Sequence, residues 1–347
     1  MAPAFLATAQ SQRSRRLVKS FKAQDNTSIQ VVNKYGNVHL VPWDKDSVRF
    51  DVQLNITGSK DTRVDRIFND IDFEFTGTRY YVIARTVFRN SMNNVWTGIN
   101  DATSSLFSGG NRAMVNYTIY FPAQAPVRVE NKFGNIYTTD HLGKVEFILS
   151  NGDLKANALR GETILNLSFS NASIRSVERG RLEMGYGEFD FIEVGDAEII
   201  GKSARIKIER AGRLRLDSRR DKLRIGRVGG LSGYSSFSFI NVDHLTDEAS
   251  IDTKYGELSV ANLGAAVRSI EIDAEYTDLS IQGNQAMDID LVYDDKTVQL
   301  FSDGVKMLKQ EAWGEDKKQL RRSGPTDTGA GRYTRVRVRI SGGRLTI

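Results

Sequence analysis

The chain contains no cysteine. That excludes disulfides, thiolate metal sites, a cysteine nucleophile and a lipidated cysteine anchor. Stability must come from packing and backbone hydrogen bonds. Only 5 prolines occur in 347 residues, so proline-rich linkers are absent too. No apolar run approaches the roughly 18 residues that a transmembrane helix needs. Histidine is scarce: His39, His141 and His244 lie far apart, with no HExxH or HxxxH motif. Each follows or ends a strand-like run, so each reads as a surface or corner histidine, with His39 pointing outward between Val38 and Leu40. No GxSxG, Walker or dinucleotide-binding motif appears, and the glycine-rich calcium repeat is missing.

What is present is an ordinary folded composition, 40% hydrophobic and 26% charged. A net charge of +5 permits acidic partners without demanding them. Near the start, Ala7-Thr8-Ala9 fits a small-x-small cleavage site. We read residues 1–24 as a signal-peptide remnant with cleavage near Gln10, followed by a solvated arm carrying Arg13, Arg15 and Arg16. The expected location is therefore outside the cytoplasm: periplasm, outer cell surface or secreted.

Beyond residue 25 the chain repeats itself. NKYGNVHL from Asn33, NKFGNIYT from Asn131, SNGDLKAN from Ser150, GYGEFDF from Gly185 and TKYGELSV from Thr253 share a turn and then a short alternating strand. Gly36, Gly134, Gly152, Gly187 and Gly256 mark these turns, where glycine permits backbone angles that bulkier residues resist. An apolar residue stands seven positions before the first strand residue. The pairs include Val31 and Val38, Val129 and Ile136, Phe147 and Leu154, Leu167 and Ile174, and Leu182 and Phe189. They continue through Ile199 and Ile206, Leu216 and Leu223, Ile251 and Leu258, and Ile272 and Leu279, and recur at Val338 and Leu345. The Phe237 turn departs, its nearest upstream apolar residue being Leu231. The gap from Leu216 to Ile251 has room for two coils.

This offset predicts an all-β, right-handed parallel β-solenoid over residues 25–347, with a short coil per turn. A hairpin sandwich, the rival all-β architecture, does not require such an offset. One core column is Ile136, Leu154, Ile174, Phe189, Ile206, Leu223, Phe237, Leu258 and Leu279. The second is Val129, Phe147, Leu167, Leu182, Ile199, Leu216, Ile251 and Ile272. Residues 57–128 break the repeat and read as a small α+β cap insertion. Its helix covers Asp61–Ile71, capped by Asp61 or Thr62, with Val64, Ile67, Phe68 and Ile71 on one face. Strands follow at Phe73–Phe75, Tyr80–Val87 and Ala113–Phe121, with a polar loop over Arg89–Arg112. Residues 285–347 form a last coil: a strand at Tyr293–Phe301, a charged loop at Met307–Gly331, and closing strands in which Val338, Ile340, Leu345 and Ile347 face inward.

The NKYGN and NKFGN turns, the run YTIYFPAQAPVRVENKFGNI from Tyr117 and the closing VRISGGRLTI resemble the bacterial putative adhesin family, which includes auto-transporter adhesin head domains. The resemblance covers roughly residues 25–347. It implies a β-helical fold and export, and it carries over no catalytic residues.

We find no catalytic, cofactor-binding or metal-binding set and expect a non-enzyme. Asp243 and Asp247 flank His244, and Asp294-Asp295 adjoin Tyr293, but both clusters read as turn caps. The outward charges are more informative. Acidic Glu188 and Asp190 fall beside basic Arg205 and Lys207. Arg205, Lys207, Arg213, Arg215, Lys222 and Arg224 then form a candidate polyanion-binding patch, with Arg210, Arg219, Arg220 and Arg227 nearby. A solvated face that fixes strand register is the simpler reading of the same charges. No aromatics interleave them, which argues against nucleic acid. The expected role is structural or adhesive, toward surface polysaccharide or another envelope protein. A β-helix lyase or glycosidase, and a periplasmic regulatory partner docking through the cap, are the alternatives.

Overall fold

A computed structural model describes residues 10–89, 110–315, 317–327 and 333–347. The Ala7-Thr8-Ala9 site and most of the Arg89–Arg112 loop lie outside these residues. The chain is nearly all β, with 71% strand and 5% helix, so the helical part of the cap is minor. It divides into two compact units, residues 1–161 and 162–347.

In the first unit the strands are β1 (Ser11–Lys22), β2 (Ser28–Lys34), β3 (Val38–Trp43), β4 (Ser47–Gly58), β5 (Ile71–Gly77), β6 (Tyr81–Phe88), β7 (Arg112–Pro122), β8 (Val127–Lys132), β9 (Ile136–Thr138) and β10 (Val145–Ser150). β11 (Asp153–Ser168) begins there. Coils stack in parallel: β6 on β2, β2 on β8 and β8 on β10 along one side, and β7 on β3, β3 on β9 and β9 on β11 along another. The offset of seven explains the register. Val31 lies on Val129 and Val129 on Phe147, while Val38 lies on Ile136 and Ile136 on Leu154. All six are buried. Burying each such side chain stabilises by about 1.5–3 kcal/mol.

The cap is antiparallel: β1 pairs β4, β4 pairs β7, and β5 pairs β6. Helix α1 (Asp61–Asp70) buries Val64 and Ile67, as its spacing predicts, but Phe68 is only half-buried and Ile71 opens β5. Its N-cap is Lys60 rather than Asp61 or Thr62, and no side chain caps it. Arg13, Arg15 and Arg16 do not lie on a solvated arm. They belong to edge strand β1. Arg13 pairs Asp65 at 2.7 Å, Arg15 donates to the Ile71 carbonyl at 2.6 Å, and Arg16 Nε donates to Asp51 at 2.8 Å. The basic residues on this strand also keep an open sheet edge from pairing with other chains.

The second unit stacks long strands, β12 (Asn171–Gly185), β13 (Glu188–Lys202), β14 (Arg205–Arg219), β15 (Lys222–Ser236) and β16 (Phe239–Lys254), each parallel to the next. β17 (Glu257–Val260), β18 (Ser269–Glu275) and β19 (Asp278–Ile281) extend it. Two column assignments need correction. Ala172, not Ile174, lies on Phe189, and Ile174 lies on Phe191 two residues further. Phe237 is 49% exposed at a corner, and Ile240 takes its core seat on Leu223. Gly233 fills the gap between Leu216 and Ile251, so two coils do fit there.

The last segment is out of sequence order. β24 (Thr334–Ser341) and β25 (Gly343–Thr346) lie between the β18–β19 coil and the coil of β20 (Met287–Tyr293) and β21 (Val298–Phe301). Val338 and Leu345 sit in register on Ile272 and Leu279, and Ile340 is also buried, while Ile347 is only half-buried. The charged segment from Met307 is not simply a loop: β22 (Lys309–Trp313) and β23 (Gln319–Pro325) form a hairpin that closes the sheet edge against β20.

The turn glycines serve a different purpose from the one their sequence position implies. The left-handed residue is the one before each: Tyr35, Phe133, Asn151, Tyr186 and Tyr255, with φ between 54° and 66°. The glycine itself passes beneath a neighbouring coil. A Cβ on Gly134 would stand 1.9 Å from the Gly36 carbonyl oxygen, and one on Gly187 would stand 1.7 Å from that of Ser170. Gly187→Ala should therefore lower stability by about 1–3 kcal/mol. Gly185→Ala, whose Cβ would meet nothing closer than 3.5 Å, should change it little. Urea unfolding of both variants checks this, and equal losses would contradict it.

Candidate functional site

β13, β14 and β15 each bend twice. Their ladders skip a residue at 192, 209 and 226, and again at 195, 212 and 229. Inward seats shift phase at each bend: on β13 Phe189 and Phe191, then Val194, then Ala197 and Ile199 are buried. The second bend is lined by Gly195, Gly212 and Gly229, where an added Cβ would meet the carbonyl of the preceding coil at 2.1, 2.8 and 2.7 Å. The candidate patch is thereby split. Arg205, Lys207, Lys222 and Arg224 come together before the bends. Arg213 and Arg215 lie after both, on a different segment.

The register defines the charge pattern. Glu188, Asp190, Glu193, Asp196 and Glu198 of β13 stand opposite Arg205, Lys207, Arg210, Arg213 and Arg215 of β14. Arg205 bonds Glu188, Arg213 pairs Asp196 at 3.1 Å, and Arg210 pairs Glu193 at 3.7 Å. These exposed pairs are each worth about 0–1 kcal/mol. The next coil reverses the logic. Lys222 of β15 faces Arg205, Arg224 faces Lys207, and Arg227 faces Arg210. Like charges directly opposite on paired strands are destabilising. On its far side β15 meets Phe239, Asn241 and His244 of β16, none of them acidic. Asp243 gives Arg224 one partner at 3.8 Å. The result is a shallow depression rimmed by Arg205, Lys207, Lys222, Arg224, Phe239 and Asn241, with Glu188 and Asp190 of β13 along one edge.

No family model and no curated protein matches this sequence. Solved structures do. A putative adhesin from Parabacteroides distasonis ATCC 8503 matches at 14% identity, over 77% of this chain and 97% of its own, with a TM-score of 0.34. A putative cell adhesion protein from Clostridium sporogenes ATCC 15579 matches at 9% identity over 96% and 99%, with a TM-score of 0.20. A putative lipid binding protein from Parabacteroides distasonis ATCC 8503 matches at 12% identity over 77% and 94%, with a TM-score of 0.25. Two of these three carry adhesin or cell-adhesion names and the third a lipid-binding name. Likenesses this distant carry no argument about function.

The remaining candidates separate cleanly. His39 points outward, as expected, and stacks on Tyr137 at 4.8 Å. His244 is exposed on β16. His141 is not a surface or corner histidine: it is fully buried, 5.3 Å from the Phe121 ring. Asp243 and Asp247 are not turn caps. They sit mid-strand on β16 and pair Arg224 and Arg268. Asp294 does cap a turn, accepting from the Lys296 amide at 3.0 Å. Among the described residues no cluster of three or more His, Asp or Glu could hold a metal, and no helix is long and apolar enough to cross a membrane. A second depression, beside the β22–β23 hairpin, brings Trp313 and Tyr234 near Asp252, Asp273 and Arg339. Asp252 and Asp273 are register partners there. Sequence reading missed both this pair and the buried Asp221.

Asp221 follows a corner. Its carboxylate accepts from the Ala204 amide at 2.7 Å, the Ser218 hydroxyl at 2.8 Å and the Arg219 amide at 3.1 Å. Burial pushes its pKa up, and these donors partly offset the rise. Such a carboxylate organises a turn and does not face a substrate.

Burial lowers the pKa of His141 from 6.5 to about 4. The unfolded chain then takes up a proton that the folded ring refuses. The stability carried by the neutral ring is full above the unfolded value and is lost as pH falls through that window. The loss is roughly 3 kcal/mol at most. Urea midpoints at about pH 7 and about pH 4.5 should differ less in His141→Leu than in the unaltered chain. An unchanged difference would assign the acid sensitivity elsewhere.

Proposed function

We propose that this chain is an exported, non-catalytic protein of the bacterial cell envelope, with a structural or adhesive role, that docks anionic polymer on β14 and β15. The observation that carries the reading is the run of in-register like-charge pairs: Arg205 with Lys222, Lys207 with Arg224, and Arg210 with Arg227. A polyanion laid along them would turn repulsion into attraction. The Ala7-Thr8-Ala9 pattern supports export, and the adhesin resemblance supports an envelope role.

The enzyme alternative has one observation in its favour, the Asp252–Asp273 pair beside Trp313. Paired carboxylates can cleave glycosidic bonds when suitably spaced. Under the binding reading, prolonged incubation with polygalacturonate releases no new reducing ends or unsaturated products. Product formation lost in Asp252→Asn would establish the enzyme instead.

The binding reading is tested with immobilised polygalacturonate and polyphosphate at low and high salt. The chain should bind at least one of them, and binding should weaken as salt rises. Lys207→Gln combined with Lys222→Gln should cost about tenfold in affinity. The pair Arg213→Gln and Arg215→Gln, beyond the bends, should cost less. Binding that is insensitive to salt and to both pairs would refute the assignment.

A further inference from the structure

Resting on that reading, we infer that the β14–β16 face selects acidic sugars, with Phe239 as the stacking platform and the neighbouring cations as carboxylate partners. The argument starts from register. One outward column runs Arg205, Lys222, Phe239; the column two residues along runs Lys207, Arg224, Asn241. Rows are spaced by the strand separation of about 4.8 Å, and the two columns by about 6.5 Å. Buried Ile206 and Leu223 lie between them as the floor.

Phe239 is the element that sequence alone does not place here. It lies a coil beyond the basic run in sequence, but directly beside Lys222 in space. It opens β16, flanked by paired strands on both sides, and is 46% exposed. It is also distinct from the corner aromatics. Phe237, two residues earlier, is stacked on Tyr255 at 5.0 Å with planes 11° apart. No such ring partner within the described residues covers Phe239. The Lys222 ammonium lies 6.0 Å from its ring centroid, and Glu257 is its register partner on the other side.

Each member then has a task that fits one ligand class. A pyranose ring has an apolar C–H face, which an exposed aromatic can cover. The carboxylate of a uronic acid takes a lysine or a guanidinium. Asn241 can both donate to and accept from hydroxyls. Lys207 and Lys222 have no carboxylate within 4 Å among the described residues, so they need not break an ion pair to bind. Arg205 and Arg224 are tied to Glu188 and Asp243 and hold the rim. A phosphate polymer would satisfy the cations and the Asn241 amide equally but leave Phe239 unused. The coil spacing is also close to the length of one sugar ring. A polyuronate lying across the coils can therefore offer about one carboxylate to each basic row.

Polygalacturonate oligosaccharides and polyphosphate of matched charge separate the two claims, with circular dichroism confirming that variants remain folded. The unaltered chain should bind the uronate more tightly. Phe239→Ala should weaken uronate binding about threefold to tenfold and leave polyphosphate binding unchanged. Phe239→Tyr should retain it. Lys207→Gln with Lys222→Gln should weaken both polymers. If Phe239→Ala weakens neither, or both equally, the sugar assignment falls while the polyanion reading stands. If the unaltered chain binds neither polymer, both fall.

Discussion

Backbone hydrogen bonding between successive coils is the constraint on which the rest of the structure depends. It fixes neighbouring strands about 4.8 Å apart and sets each residue beside its counterpart. Every seat in a coil is therefore a column, and a column must tolerate its own repetition. Aliphatic seats do so readily: Leu182, Ile199 and Leu216 each contact the next without a change of size class. Seats beneath a carbonyl tolerate almost nothing, which is why glycine recurs where a Cβ would stand about 2 Å from oxygen.

The corner shows how a local cost is met by repetition. A bulky residue with positive φ costs about 1–2 kcal/mol relative to its usual region. In the second unit Phe169, Tyr186, Phe237, Tyr255 and Tyr276 all accept it. Phe169 stacks on Tyr186 with planes 6° apart, and Tyr255 on Tyr276 with planes 4° apart. Aromatic contacts of this kind return about 0.5–1.5 kcal/mol each beyond burial. Ser203 and Arg220 hold the same conformation without such a stack. There Asp221 takes over, tying Ala204, Ser218 and Arg219 together, and Gly201 leaves room for its carboxylate. The corner is thus maintained by rings in some coils and by a polar network in others.

Periodicity was legible because inward seats are mostly aliphatic, and the offset of seven identified nearly every coil, including the one ending the chain. The misses have physical reasons. Ala172 occupies a core seat without looking like core, and the offset of seven from Leu167 selects Ile174 two residues on. Phe237 is apolar yet exposed, because its surface is covered by a neighbouring ring and not by the interior. The β22–β23 hairpin reads as loop because all of β22 is exposed and no face is consistently apolar. The offset marks a coil but not its rank in the stack, so the insertion of β24 and β25 before β20 left no trace in it. The split of the basic patch did leave one: Gly195, Gly212 and Gly229 recur at even spacing, marking a bend that separates Arg213 and Arg215 from Arg205 and Lys207. Phe239 was hidden for the opposite reason, since its relation to Lys222 exists only between coils.

Columns also make surface charge informative. An acidic strand beside a basic one, as in β13 and β14, is what a sheet gains by alternating its charges. If register and solubility were all that the charges served, β15 would be acidic or neutral in turn. It is basic at Lys222, Arg224 and Arg227, and β16 answers it with Phe239, Asn241 and His244 and not with carboxylates. Alternation is therefore broken on one row and not restored on the next. Mutual repulsion there works against the same backbone ladder that builds the coil. A sheet can carry such a row because each exposed pair costs only a fraction of what the buried columns contribute. The imbalance is small beside the core, and on β14 and β15 it recurs at three successive charged seats: Arg205 with Lys222, Lys207 with Arg224, and Arg210 with Arg227.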